Sequence, residues 1–296
     1  MKYFRRLDKK SSKTATYTCM SRAASYLEKN PRYKSDDYIA VKLLPKFIKF
    51  LIKNNILSLK GRISPKGIYP YVIARTKYID HIFRESIDKS VEQVLIMGAG
   101  FDSRGVRFSG LSGNIKVFET DINYTTEAKL KQYKKRRIHK PENNIIIPVD
   151  FEKEDPRTKL TEYGFGKNKK TLFILEGLIM YLSEDTVRET FEFIHEYSGP
   201  DSEVVFDYLN ASVLRLENRY YGESDIYRRV TKDNERWLFG IEDGQIDNFL
   251  KSLNFDRIEY FDSTALENKY FKVESGKIIA KINGTHCLVL AKENGK

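Results

Sequence analysis

Several short apolar runs in this chain end in groups that can hold a polar ligand. VFETD closes on Glu119 and Asp121, IPVDF sets Asp150 beside Phe151, and FILEG places Glu176 before Gly177. An earlier run, QVLIM, breaks into Gly98-Ala99-Gly100. Glycines after a strand let the backbone turn tightly and approach a ligand closely, because no Cβ intervenes. An acid about 20 residues beyond such a turn accepts hydrogen bonds from ribose hydroxyls, and Asp121 stands there. Asp150 can bond an adenine amino group, with the Phe151 ring packed on the base. Asp121 and Asp150 also suit the N-caps of helices that follow strands. Glu176 is a charge set directly after a buried run, and a buried carboxylate needs a partner. An amino-acid ammonium would serve, as would a local lysine or arginine.

The same stretch argues against a phosphate-rich ligand. A dinucleotide fingerprint calls for glycine or alanine where Ser103 stands. Asp102, on the same turn, is expected to repel a pyrophosphate, and no Walker-type Lys-Ser/Thr is present. A ligand with a ribose, an adenine and a positive charge but no phosphate fits better. S-adenosyl-L-methionine is such a ligand, and an NAD-dependent dehydrogenase is the weakest rival.

These residues require a strand–helix alternation to bring them together. Strand candidates are Gln93–Met97, Ile115–Glu119, Asn144–Val149, Thr171–Leu175, Glu203–Tyr208 and His286–Ala291. Helical stretches Asn123–Arg137, Ser183–Tyr197 and Glu242–Leu253 lie between them. Such alternation predicts a doubly wound α/β sheet, mostly parallel, with ligands at the carboxyl ends of its strands. Arg257–Ile282, with its IEYFD and GKIIAKI segments, is expected to add an antiparallel contribution. Ahead of the sheet the pattern is helical. Ser21–Lys29 reads as a short amphipathic helix. Asp36–Asn54 has apolar residues at helical spacing, with Pro45 expected to kink or split it. Gly61, Pro65, Gly67 and Pro70 mark a loop, and Tyr71–Ser90 resumes the helical period. The expected organisation is an N-terminal helical cap over residues 1–90 and a ligand-binding core over residues 91–296.

The 296 residues carry 41% hydrophobic and 31% charged side chains, as in a soluble globular protein, and no apolar run approaches a membrane span. Cys19 and Cys287 lie too far apart to suggest a metal motif or a disulfide framework. The charged start lacks a signal-peptide core, so a cytoplasmic location is the default expectation. The 52 basic residues against 41 acidic give a net charge of +11. Part of the excess lies in Lys129–Lys140, KLKQYKKRRIHK, which reads as a solvated helix end and loop. No nucleic-acid motif accompanies it.

Five of these segments stand in a familiar order: RTKYID (Arg75–Asp80), QVLIMGAGFDSR, VFETD, IPVDF and FILEGLIMYL. The chain resembles the leucine carboxyl methyltransferase family, from about residue 15 onward, with SRAASYL (Ser21–Leu27) and WLFGIEDGQIDNFLKSLNF (Trp237–Phe255) also similar. The resemblance implies a class I, Rossmann-like methyltransferase sheet of seven strands with a helical cap. Carried over, Arg75 would hold the methionine carboxylate. Gly98 would line the methionine portion, in the turn it forms with Ala99 and Gly100. Asp121 would bind the ribose, Asp150 and Phe151 the adenine, and Glu176 the region of the ammonium. Arg22 matches an early arginine of the family, placed near the methyl donor or the acceptor. Protein-directed members have a lysine just before that arginine, where Ser21 stands here.

The implied reaction is methyl transfer to an oxygen of a small molecule. A carboxylate acceptor is already ionised, with a reference pKa of roughly 4, and needs positioning alone. A hydroxyl would call for a base. His195, Asp207 and Tyr208 are the candidates, and none is convincing, which favours a carboxylate. Alternatives are a carboxyl methyltransferase acting on a protein C-terminus or a tRNA nucleoside, or a non-catalytic S-adenosylmethionine binder. No metal is expected.

Overall fold

The computed structural model describes residues 13–54, 64–233 and 236–295. Seven strands form one sheet: β1 (Gln93–Met97), β2 (Lys116–Asp121), β3 (Asn144–Pro148), β4 (Thr171–Leu175), β5 (Glu203–Leu209), β6 (Phe255–Phe261) and β7 (His286–Glu293). Their order is β3-β2-β1-β4-β5-β7-β6. The first five are parallel, and β7 runs antiparallel between β5 and β6. The sheet is the doubly wound, mostly parallel one expected from the alternation.

Side chains of a strand point to alternate faces, and this divides the core into two. Val94 and Ile96 join Val117, Leu172 and Ile174 on one face. Leu95 and Met97 join Phe118, Phe173 and Leu175 on the other. The first face is covered by four N-terminal helices: α1 (Lys13–Tyr26), α2 (Tyr38–Leu43), α3 (Lys46–Lys53) and α4 (Ile68–Asp88). The second is covered by helices that include Pro156–Glu162, Glu184–Tyr197 and Ile246–Lys251. Among the described residues no helix is long and apolar enough to cross a membrane.

The helical region departs from expectation in instructive ways. Pro45 does split the predicted 36–54 helix, giving α2 and α3, and Asp37 caps α2 by accepting from Ala40 N at 2.9 Å. By contrast α1 begins eight residues earlier than its apolar pattern suggests. Thr14, Ala15, Tyr17 and Thr18 line a cavity, so this half carries no core-facing apolar stripe. Pro70 lies in the first turn of α4 and not in a loop, since a first-turn residue has no intrahelical bond to lose. Gly61 lies outside the described residues.

Two further corrections concern polar sequence. The 257–282 region contributes β6, but a helix, Ser263–Phe271, follows it. Asp262 caps that helix by accepting from Ala265 N at 2.7 Å. GKIIAKI adds no strand, only a single bridge between Lys272 and Ile278. Lys129 is not part of a solvated face either. It is buried, 1% exposed, and pairs with the equally buried Glu119 of β2.

Candidate functional site

At the carboxyl ends of the parallel strands lies a cavity of about 320 Å³. β1 ends there in Gly98 and Gly100, with φ of +64° and +50°, a region that favours glycine. A Cβ on Gly98 would stand 2.7 Å from Leu178 Cδ1, so the turn also needs the missing side chain for packing. Asp121 at the end of β2 fixes this turn. Its Oδ2 accepts from Gly100 N at 2.6 Å and its Oδ1 from Ile122 N at 2.8 Å. Asp121 is therefore no helix cap. Burial pushes its carboxyl up, and the two N–H bonds pull it back. Each oxygen retains acceptor capacity toward the cavity. Beyond β3, Asp150 accepts from Glu152 N at 3.2 Å and pairs with Lys153 at 2.7 Å, with half-buried Phe151 beside it.

Behind the turn is a buried ion network. Arg75 of α4 donates from Nε to Glu176 Oε1 at 3.1 Å and from Nη1 to Asp207 Oδ2 at 2.6 Å. Arg104 donates to Glu176 Oε2 at 2.7 Å and Asp80 Oδ1 at 2.8 Å, and it also pairs with Asp102. Arg107 reaches Asp80 at 2.7 Å, and Arg22 reaches Asp37 at 2.8 Å. Burial opposes the charge on Glu176, but Arg104 and Arg75 overcome it and hold the carboxyl down at about 2. The alternative of arginine partners for Glu176 is therefore realised. Asp102, on the glycine turn, is paired with Arg104.

The network is electrostatically lopsided. Four arginines (22, 75, 104, 107) face five carboxylates (37, 80, 102, 176, 207), leaving one excess negative charge behind the glycine turn. In a poorly solvated site that excess favours a cation. Arg75 Nη2 makes no hydrogen bond among the described residues and is available to a carboxylate. The surroundings thus offer acceptors for a ribose diol, a free guanidinium edge for a carboxylate and a negative bias for a sulfonium. They fit S-adenosylmethionine. Among the described residues no cluster of side chains could hold a metal ion.

Arg22, Arg75, Gly98, Ala99, Gly100, Asp121, Asp150, Phe151 and Glu176 all line this one cavity. Arg22 also donates to the Phe101 carbonyl at 2.6 Å, so it holds the glycine turn against α1. The base candidates fare differently. His195 pairs with Glu293 at 2.9 Å away from the cavity. Asp207 is committed to Arg75, to Tyr71 at 2.8 Å and to Gly177 N at 2.6 Å. Tyr208 lies outside the lining.

Sequence reasoning missed His286, which does line the cavity. The signal was available: His286 opens an antiparallel strand and pairs with Leu209 at the end of β5. The start of such a strand lies at the carboxyl edge of its parallel neighbours. Beside it the cavity wall turns largely apolar, with Ile68, Val72, Ile226 and Val230 packed together under Tyr17 and Trp237, and Arg229 also lining the cavity.

Comparison with known proteins identifies the family and the fold. The family model described as leucine carboxyl methyltransferase matches residues 15–195. The chain belongs to the leucine carboxyl methyltransferase family. Among its relatives is a Bacillus subtilis protein named "Putative S-adenosyl-L-methionine-dependent methyltransferase YktD". It is 28% identical over 145 residues, which cover 49% of this chain and 47% of the relative. A Mycobacterium avium protein, also named an S-adenosyl-L-methionine-dependent methyltransferase with the qualifier "Putative", is 28% identical over 273 residues and 89% of both chains. The chain thus spans about half the length of the first relatives it matches, and nearly all of others. Two solved structures share the fold. One is a duf574 family protein from Streptomyces avermitilis, with TM-score 0.61, 12% identity and coverage of 97% and 100%. The other is titled a "putative methyltransferase" from Thermobifida fusca, with TM-score 0.59, 14% identity and coverage of 98% and 97%. The seven-stranded sheet of this family member is the methyltransferase-like α/β fold.

Proposed function

We propose that the chain transfers a methyl group from S-adenosylmethionine to an oxygen of a small molecule, a carboxylate or a hydroxyl. One observation carries this reading. A single cavity joins the polar groups at the ends of β1 to β4 to an apolar chamber walled by α4 and helix Glu223–Asp233. The bound donor supplies a methyl group made electrophilic by its sulfonium.

The chain's own residues bind and orient. Asp121 accepts the ribose hydroxyls, Asp150 takes the adenine amino group, and Phe151 packs on the base. Gly98, Ala99 and Gly100 admit the methionine portion against bare backbone. Arg75 takes its carboxylate through Nη2, and Glu176 faces its ammonium. Arg104 keeps Glu176 ionised and in place. Orientation of this kind can supply several kcal/mol of a transfer barrier.

Calorimetric titration with S-adenosylmethionine and S-adenosylhomocysteine, with NAD as control, tests the reading. Micromolar binding of the first two and none of NAD is expected. Absence of binding by both would remove it.

A further inference from the structure

The surroundings of His286 fix which of its nitrogens carries the proton. Asn283 Nδ2 donates to the Lys66 carbonyl at 2.9 Å, which orients the amide and leaves Oδ1 as an acceptor. Oδ1 receives Thr285 N at 3.1 Å and the Thr285 hydroxyl at 2.6 Å. A threonine hydroxyl has one proton to give. With that proton on Asn283, Thr285 Oγ1 accepts from His286 Nδ1, 2.7 Å away. Nδ1 is then the N–H, and Nε2 holds the lone pair. Nε2 has no hydrogen-bond partner among the described residues, and the ring lines the cavity.

The relay is held rigidly. Asn283 and Thr285 are fully buried. Gly67 and Gly222, with φ of +75° and +77°, press on Asn283 so closely that a Cβ on either would overlap it. The imidazole sits against Tyr71, with centroids 4.7 Å apart, and meets Trp237 edge-on at 5.7 Å. The charged and titratable groups around it are Asp207 of β5 and Arg75 and Tyr71 of α4. Burial depresses its pKa, Asp207 opposes that and Arg75 adds to it, so that it falls to about 4. The ring is therefore neutral at pH 7.

We propose that His286 Nε2 selects and orients an acceptor hydroxyl, carried on an apolar alcohol or phenol seated in the adjoining chamber, and takes its proton during transfer. This rests on the donor reading above. As the hydroxyl oxygen forms its bond to the methyl carbon, the C–S bond breaks and its electron pair stays on sulfur. The hydroxyl proton passes to Nε2, and the positive charge ends on the imidazolium. The oxygen becomes strongly acidic as its new bond forms, so a weak base suffices. An ionised carboxylate at this position would set lone pair against lone pair, which discriminates against it.

Nitrogen-15 NMR of histidine-labelled full-length chain tests this, with the signal of His286 assigned by its loss in His286→Gln. The chain has four histidines, so the spectrum is tractable. The expected result is an Nδ1–H tautomer at neutral pH, with 4-methylphenol shifting Nε2 as a hydrogen bond forms and hexanoate leaving it unmoved. Thr285→Val should let the Nε2–H tautomer appear. A protonated Nε2 in the unsubstituted chain, an Nε2 silent to 4-methylphenol, or an equal response to hexanoate would overturn the assignment. The titrations are run with and without S-adenosylhomocysteine. Failure of S-adenosylhomocysteine to bind overturns the donor reading and the transfer step with it. Its binding beside a silent Nε2 overturns the role of His286 alone.

Discussion

Arg75 Nε and Glu176 Oε1 stand 3.1 Å apart, although 101 positions separate them in the chain. Through this pair α4 is fastened to the end of β4, and Arg75 extends the link to Asp207 of β5 at 2.6 Å. The groups that would hold the amino-acid end of a donor are therefore also ties between the helical layer and the sheet. Binding and stability are coupled at this point, and variants here must be read on both scales.

Arg75→Ala leaves Asp207 buried without a counter-charge and Glu176 with Arg104 as its remaining partner. Breaking a buried pair from one side costs about 3–5 kcal/mol, a loss that urea unfolding will register. Under conditions where the variant is still folded, S-adenosylhomocysteine affinity should drop by about 1.5–3 kcal/mol, the range for a charged hydrogen bond. Undiminished affinity would take Arg75 out of the carboxylate site.

Asp121→Asn keeps a single acceptor oxygen where two now hold Gly100 N and Ile122 N. Calorimetry should find donor affinity weakened by roughly 10- to 100-fold, in line with loss of a charged acceptor. Asp150→Asn, at a more open position, should weaken it less. The reverse ranking would mean the ribose lies elsewhere.

Gly98→Ala places a side chain at φ +64° and against Leu178. The left-handed conformation alone costs an L-residue about 1–2 kcal/mol, so both melting temperature and donor affinity should fall. Adding Leu178→Ala should restore part of the affinity by giving the new methyl room. If the double variant binds no better, the turn and not the contact is limiting.

Acid should weaken the fold in two stages. His286 has its folded pKa lowered from 6.5 to about 4. Between those values the unfolded chain binds a proton that the folded chain refuses, so stability falls as pH drops through this window. Glu176, lowered from 4.5 to about 2, adds a second loss as pH falls through that lower range. Asp121 and Glu119, raised by burial, act in the opposite sense. A difference measurement isolates the histidine: urea unfolding of the unsubstituted chain should lose more stability from pH 6.5 to 4 than His286→Asn does. Parallel curves would contradict a buried neutral imidazole.

The sheet was largely legible in the sequence because its central strands are short, apolar and buried on both faces. Thr171–Leu175 and Gln93–Met97 have the bounds that their apolar runs predict. Positions that serve a cavity were harder to read. The first half of α1 faces ligand space with threonines and a tyrosine, and so shows no amphipathic stripe. A polar helix such as Ser263–Phe271 gives only its Asp262 cap as a sign.

In the site, acids at strand ends could be found from spacing because strand geometry alone brings them to one edge. Arg75 could not, since an arginine inside a helix looks the same whether it faces solvent or two buried carboxylates. Only the family resemblance singled it out. Lys129 was misread for the same reason, as one member of a basic run whose inward neighbour, Glu119, is ten positions away. His286 escaped because its role depends on Thr285, Asn283 and Lys66, and Lys66 is joined to them by folding alone.

The place of β7 in the sheet has a consequence for the growing chain. It is the latest strand in chain order, yet it lies between β5 and β6. Until residues 286–293 leave the ribosome, β5 keeps an open edge and β6 has no partner. A nascent or prematurely stopped chain therefore displays VVFDYL as an apolar strand paired with β4 on one side only, the kind of edge that recruits other chains. The same late insertion delivers His286 to the cavity, so this part of the site is assembled in the step that seals the sheet.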